Sequence, residues 1–264
     1  MSSTTAIRTK QPRGRAKVRT PQKPSFHRIE LLLGLLFLVA VASLFLGYVT
    51  QSSTFRVKRI LFEGSRILSE TEIRDAAGIT TEDNIVFLDT DIIASRVEDL
   101  PYVKRCDVKR MYPDEVLIRI VERKAIATVM INNRLYEIDR EKVVLRELPR
   151  FAAQTGPMIT NLPDVGVVDP NTQIDSPVLS QALDLWEDFK TLSFADDITL
   201  SELSAPHEND LRMYFNELPY ELRWGRSDFA SQASRLDVLW HEMNGAIPCE
   251  YYLDLRFDAD LVCK

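Results

Sequence analysis

The sequence predicts an α+β protein carried on a single transmembrane helix, and three observations among its 264 residues lead there. Residues 31–49, bounded by Leu31 and Val49, hold no charge. Downstream, apolar residues at helical spacing alternate with stretches of period-two alternation, the mark of helices packed on sheets. Charge also divides at the apolar run. Before Leu31 stand eight Lys/Arg and one acid, a charge of +7, whereas the other 25 bases and 38 acids leave the remainder at −13. The overall −6 therefore describes neither part. A composition of 45% hydrophobic and 27% charged residues with only 9 Gly excludes a collagen-like, low-complexity or wholly disordered chain.

The 19 uncharged residues, LLLGLLFLVAVASLFLGYV, rise ~1.5 Å each and so cross a hydrocarbon core of ~30 Å. The transmembrane helix is assigned to residues 31–50, with Tyr48 at the interface and Gln51-Ser52-Ser53-Thr54 as a polar exit. The eight bases keep the N-terminus cytoplasmic by the positive-inside rule and place residues from about Gln51 outside the inner membrane. The alternative is a cleaved signal peptide, and Ala40-Val41-Ala42 resembles a cleavage site. Signal peptides have apolar cores of only ~7–15 residues, however, and cutting there would leave Ser43-Leu44-Phe45-Leu46 at a greasy new terminus. An anchor is expected, and a single pass, since no second stretch of that length occurs. Residues 1–30 read as a disordered basic tail, too poor in apolar residues to order itself. Its bases suit anionic lipid headgroups in the bilayer, yet topology alone accounts for them, and no nucleic-acid partner is expected.

Residues 55–123 form the first expected module. A strand over 55–62 closes at Gly64. A short helix over 69–77 is marked by Ser69 and Glu72 as a capping box, Leu68 and Ile73 as a hydrophobic staple, and Gly78 as the stop. Asp89 caps a second helix carrying Ile93, Val97 and Leu100. Strands over 104–110 and 116–122 bracket the turn Tyr112-Pro113-Asp114. The order β-α-α-β-β in about 70 residues makes a compact domain with both helices on one sheet face.

Residues 124–264 form the second. A hairpin over 127–138 turns at Asn132-Asn133, because Asn tolerates positive φ. A further turn at Asp139-Arg140-Glu141-Lys142 introduces Val143-Val144-Leu145. Prolines and glycines make residues 148–176 mostly loop, with one short strand at Met158-Ile159. Ser176-Pro177 starts a helix, strands are expected over 198–203, 211–215 and 220–224, and a helix over 228–243 ends at Gly245. Trp186 and Trp240 belong to helical apolar stripes and read as core; Trp224, at the end of a strand, is a candidate rim contact. The final strand covers 251–257, followed by a turn at Asp258-Ala259-Asp260 and a short closing strand.

Several of these features carry a resemblance. The β-α-α-β-β order just after a membrane anchor, ending in YPDEVLIRIVERKAIA, is similar to a POTRA domain. Its proline turn and Glu122-Arg123 ending look like the version in the bacterial cell-division FtsQ (DivIB) family. That family commonly places a proline two residues after the Glu-Arg pair, where this chain has Lys124-Ala125, and a glycine in the turn before Val143, absent here. The Asp-Leu-Arg-aromatic run Asp254 to Phe257, after an amphipathic helix, resembles the family's C-terminal part. The resemblance implies a mixed, mainly antiparallel β-domain with two flanking helices, whose terminal strand edge receives a strand from FtsB in complex with FtsL. Other septal proteins would meet the POTRA-like domain. On this chain the implied edge residues are Tyr252, Arg256 and Phe257. Main-chain groups of an unpaired edge suit that role, and alternate side chains give selectivity.

Catalytic signatures are missing from the sequence: there is no G-x-S-x-G, G-x-G-x-x-G or P-loop. His241-Glu242 starts like a zinc-protease motif without its second His, so no metal or cofactor is expected. Among 38 acids, accidental carboxylate pairs are certain. A non-enzymatic division scaffold at the septum is expected; the rivals are a membrane-anchored cell-wall enzyme and a POTRA-bearing assembly or secretion component. Cys106 alternates into a strand core. Cys249 and Cys263 could meet only if the terminal strands form a hairpin, and free thiols are the expectation.

Overall fold

The computed structural model describes residues 26–225, 228–257 and 261–264. The expected basic tail up to residue 25 and the expected turn at Asp258-Ala259-Asp260 lie outside the described residues. The chain divides into two compact units, Met1–Ser52 and Ser53–Lys264.

In the first unit, α1 (Phe26–Gln51) contains a 23-residue stretch, Ile29–Gln51, long and apolar enough to cross a membrane. Its apolar side chains point outward on all sides, with Leu36 and Phe37 each 70% exposed. Water would not tolerate such a surface and lipid would, which fits a single-pass membrane protein.

The second unit begins with a three-stranded sheet and two helices. They are β1 (Arg59–Glu63), α2 (Glu70–Ala77), α3 (Thr90–Glu98), β2 (Val103–Met111) and β3 (Glu115–Glu122). β3 lies in the middle, parallel to β1 and antiparallel to β2. Both expected caps form. Ser69 accepts from the Glu72 amide while Glu72 reaches back to the Ser69 amide, and Asp89 accepts from the amides of Asp91 and Ile92. Gly78 takes the left-handed conformation at φ 64° that ends α2. Ile73, Ala77, Ile93 and Val97 from the helices pack against Val116 and Ile118 from β3, all buried. The first strand starts at Arg59, later than expected, because the preceding residues serve another partner. Residues 53–55 make a 3-10 turn, the Val57 amide donates to the Asp83 carbonyl, and the Ile85 amide donates to the Phe55 carbonyl.

The rest of the unit is built on a nine-stranded sheet. Its strands are β4 (Ala127–Ile131), β5 (Arg134–Ile138), β6 (Val144–Leu148), β7 (Met158–Thr160), β8 (Leu200–His207), β9 (Asp210–Phe215), β10 (Glu221–Trp224), β11 (Tyr252–Asp254) and β12 (Val262–Cys263). Their spatial order is β12-β11-β10-β9-β8-β7-β4-β5-β6, with five antiparallel and three parallel pairings. Two helices, α4 (Pro177–Phe189) and α5 (Phe229–Glu242), bury Leu179, Leu185, Phe189, Phe229 and Leu236 in the core they share with the sheet. Asn132 and Asn133 both adopt positive φ, which closes the β4–β5 hairpin with the strands' own twist. β8 runs through Pro206, expected in a loop. The proline falls within a register irregularity, beyond Ser204 where the pairing with β7 ends, so its missing N–H breaks no ladder on that side. β11 is shorter than the expected 251–257, because the Arg256 amide turns back onto the Asp254 carboxylate at 3.1 Å.

Candidate functional site

β9 and β10 alternate strictly between half-buried and buried residues. Leu211, Met213, Leu222, Trp224, Leu253 and Leu255 face the core, so the residues between them line the opposite face. Three arginines there each pair with an acid two positions earlier in the chain. Arg212 donates to Asp210 through two nitrogens at 3.0 and 2.6 Å. Arg223 donates to Glu221 at 2.6 Å, and Arg256 donates twice to Asp254 at 2.9 and 2.6 Å. Cross-strand contacts join the pairs: Arg256 reaches Asp210 at 3.8 Å, Tyr214 donates to Glu221 at 2.6 Å, and the Arg223 guanidinium lies 3.9 Å over the Tyr252 ring. The Arg212 bonds hold the Asp210 carboxyl below its ordinary range. Burial opposes the charge on Asp254, but the bonds from Arg256 outweigh it and lower that carboxyl too.

At the sheet margin, β12 is two residues long and, among the described residues, pairs only with β11, through Leu253↔Cys263 and Asp254↔Val262. The Lys264 amide donates to the Tyr252 carbonyl, and the Lys264 carbonyl accepts from the amides of Glu250, Tyr251 and Tyr252. Antiparallel geometry alternates inward and outward main-chain groups, so the Cys263 N–H and C=O face away from β11. Cys249 and Cys263 are joined by a disulfide, which corrects the free-thiol expectation: the terminal segments do pair, and that brings the two Cα atoms to 5.3 Å. Cys106 is a buried free thiol in β2, pushed up to about 11 by burial and the neighbouring Glu98.

The structure places the expected edge residues differently from one another. Tyr252 sits in β11, one strand in from the margin, beneath Arg223. Arg256 is committed to Asp254 and Asp210 and is not a free arm. Phe257 is 51% exposed, while its carbonyl accepts from Arg235. Trp224 is a correction: it is 0% exposed and packs edge-on against Phe189, because β10 turns its even residues into the core. Sequence reasoning missed Asp210, Arg212, Glu221 and Arg223. The signal was present as a recurring acid-Leu-Arg triplet, Asp210-Leu211-Arg212, Glu221-Leu222-Arg223 and Asp254-Leu255-Arg256, which on a strand puts acid and base on one face and Leu in the core.

Comparison with known proteins bears on this arrangement. Residues 55–123 match the family described as POTRA domain, FtsQ-type. Over 235 residues, 88% of the chain and 82% of the relative, it is 26% identical to a cell division protein FtsQ of Syntrophotalea carbinolica. Most of the chain is thus similar to cell division proteins of the FtsQ family. A Geotalea daltonii cell division protein FtsQ is 23% identical over 82% of the chain and 78% of its own length. One from Anaeromyxobacter sp. is 26% identical over 76% of the chain and 66% of its own length. The Glu-Arg ending of the FtsQ-type domain has a structural role here. Glu122 accepts from the amides of Arg66, Ile67 and Leu68 at 2.9, 2.9 and 3.0 Å. Burial works against its charge, but these amides outweigh it and keep the carboxyl low. Arg123 donates to Asp139 at 2.7 Å and to Glu141 at 2.8 Å, fastening the POTRA domain to the turn after β5. In that turn, where FtsQ-like sequences usually carry glycine, Lys142 takes φ 64° and donates to Ser180 at 2.8 Å.

One cluster in the chain has a nucleophile's ingredients. Ser193 Oγ lies 2.9 Å from His241 Nε2, and Asp237 accepts from both the hydroxyl and the amide of Ser193. The carboxylate is bound to the serine where a triad would need it on the histidine, so the group works as a loop-to-helix tie. No group of three or more His, Cys, Asp or Glu side chains that could hold a metal occurs among the described residues.

Proposed function

We propose that this cell division protein is a non-enzymatic, bitopic scaffold whose exoplasmic domains recruit FtsB-like and FtsL-like partners to the division septum. The observation that carries the proposal is the open margin at β12, whose outward main-chain groups suit addition of a partner strand beside a polar, aromatic-bearing face. The eight bases before Leu31 support an N-terminus in the cytoplasm and domains in the periplasm. Anchoring confines protein and partners to one plane, which raises their effective concentration and lets individual contacts be weak. The POTRA-like domain would meet other septal proteins.

Co-purification of the full chain in detergent with FtsB-like and FtsL-like proteins tests this. Phe257→Ala with Val262→Lys removes an exposed ring and puts a charge on the edge strand without touching the arginine pairs. Capture by wild type and its loss in the variant is expected. Equal capture by both moves the site elsewhere, and capture by neither, beside a working positive-control pair, defeats the partner assignment.

A further inference from the structure

β12 is a weak element by every local measure. It has two residues, where strands usually have three or more, and both are exposed, so almost no apolar burial holds it. Among the described residues, its attachments are the Lys264 main-chain bonds, the β11 register and one covalent tie from Cys263 to Cys249. Cys249 is 5% exposed and belongs to the main hydrophobic cluster, whereas Cys263 lies exposed on the margin. The disulfide thus fastens an exposed edge to a fixed point in the core across a sequence separation of 14. Closing a loop of about that size restricts the open ensemble enough to change its population roughly 100-fold.

We propose that Cys249 and Cys263 are an oxidative maturation site: conversion of their thiols to the disulfide by a Cys-x-x-Cys-type dithiol–disulfide oxidoreductase builds the β12 edge and so licenses partner capture. The oxidant's disulfide is attacked by the exposed Cys263 thiolate, giving a mixed disulfide and releasing one oxidant thiol. The Cys249 thiolate then attacks the Cys263 sulfur, forming the Cys249–Cys263 bond and expelling the second oxidant thiol. Two electrons pass to the oxidant, and the two protons lost by the protein's thiols end on its dithiol. The claim about capture rests on the proposed partner role; the claim about the edge does not.

The test uses the full chain in detergent, oxidised, reduced with dithiothreitol, and as Cys249→Ser with Cys263→Ser. Two quantities are read: hydrogen exchange at the Tyr252 and Lys264 amides, which face each other across β11 and β12, and capture of FtsB-like and FtsL-like proteins. Exchange at β4 and β5 reports whether the domain remains folded, and reoxidation of the reduced wild type replaces the variant if that does not fold. The expected result is exchange roughly 100-fold faster at the two amides without the disulfide, capture falling at least tenfold, and both restored on reoxidation. Unchanged protection and capture in reduced and oxidised protein would overturn the proposal. Faster exchange with no capture by either form would uphold oxidation as the step that builds the edge and overturn the partner role.

Discussion

The Tyr102 phenol donates to the Glu137 carboxylate at 2.9 Å, joining the segment before β2 to β5 of the larger sheet. Glu137, only 3% exposed, also accepts from Arg146 at 2.7 Å and Thr155 at 2.6 Å. With three donors, both oxygens of this buried carboxylate are engaged, and its partners are held in one geometry. Together with the Arg123 bonds to Asp139 and Glu141, it fixes the POTRA domain against the β-domain. Tyr102→Phe is expected to cost about 1.5 kcal/mol, read as a lower urea midpoint with unchanged slope. Burial first, and then Glu137, push the Tyr102 phenol up to about 12. A spectrophotometric titration should show a late-ionising tyrosine that Tyr102→Phe removes.

Acid stability follows from the carboxylates. Burial opposes the charge on Glu137, but Arg146, Thr155 and Tyr102 outweigh it, and Glu137, Asp210 and Asp254 all lie below their unfolded values. A lowered folded pKa contributes stability that is complete above the unfolded value, near ~4, and disappears as pH falls through the folded value. Urea midpoints should therefore hold between about pH 7 and 5 and fall steeply below about pH 4. Glu137→Gln should be less stable at pH 7 and show a shallower acid slope.

The two acids that share Arg123 should differ sharply. Asp139 is 6% exposed at its side chain and Glu141 is 46% exposed. Asp139→Ala leaves a largely buried guanidinium short of its main partner and should cost about 3 kcal/mol, whereas Glu141→Ala should cost under about 1 kcal/mol. Thermal denaturation of the two variants side by side decides it, and equal losses would contradict the arrangement.

Gly64 sits at φ 89° with its α-carbon against the Ile120 carbonyl, where a Cβ would collide with backbone. Gly64→Ala should cost at least about 2 kcal/mol, since strained φ and a clash with an immovable atom add. Gly166, with open space around it and no positive φ, should accept alanine within about 0.5 kcal/mol.

Local signals were legible because they act over a few residues. The capping box at Ser69, the Asp89 cap, the Asn132-Asn133 turn and the Ser176-Pro177 helix start each satisfy or pre-set backbone groups within one turn of chain. Long-range contacts were not. The parallel pairing of β1 with β3 and of β7 with β8 joins segments far apart in sequence, and burial of Trp224 depends on strand parity, not on its position at a strand end. The disulfide likewise needed the β11–β12 pairing, which residues Cys249 and Cys263 do not announce. At the candidate edge, the residues singled out from sequence were aromatic or basic, yet the face is organised by acid-Leu-Arg repeats whose meaning appears once three strands lie side by side.

The central claim, that a partner strand adds to the β12 margin, is tested most directly at the Cys263 amide. This N–H faces away from β11, and strand addition would engage it. Residue-resolved hydrogen exchange of the oxidised full chain, with and without the FtsB-like partner, should slow at Cys263 by at least about tenfold on binding. Binding that leaves the Cys263 amide unchanged while protecting another surface would contradict the account.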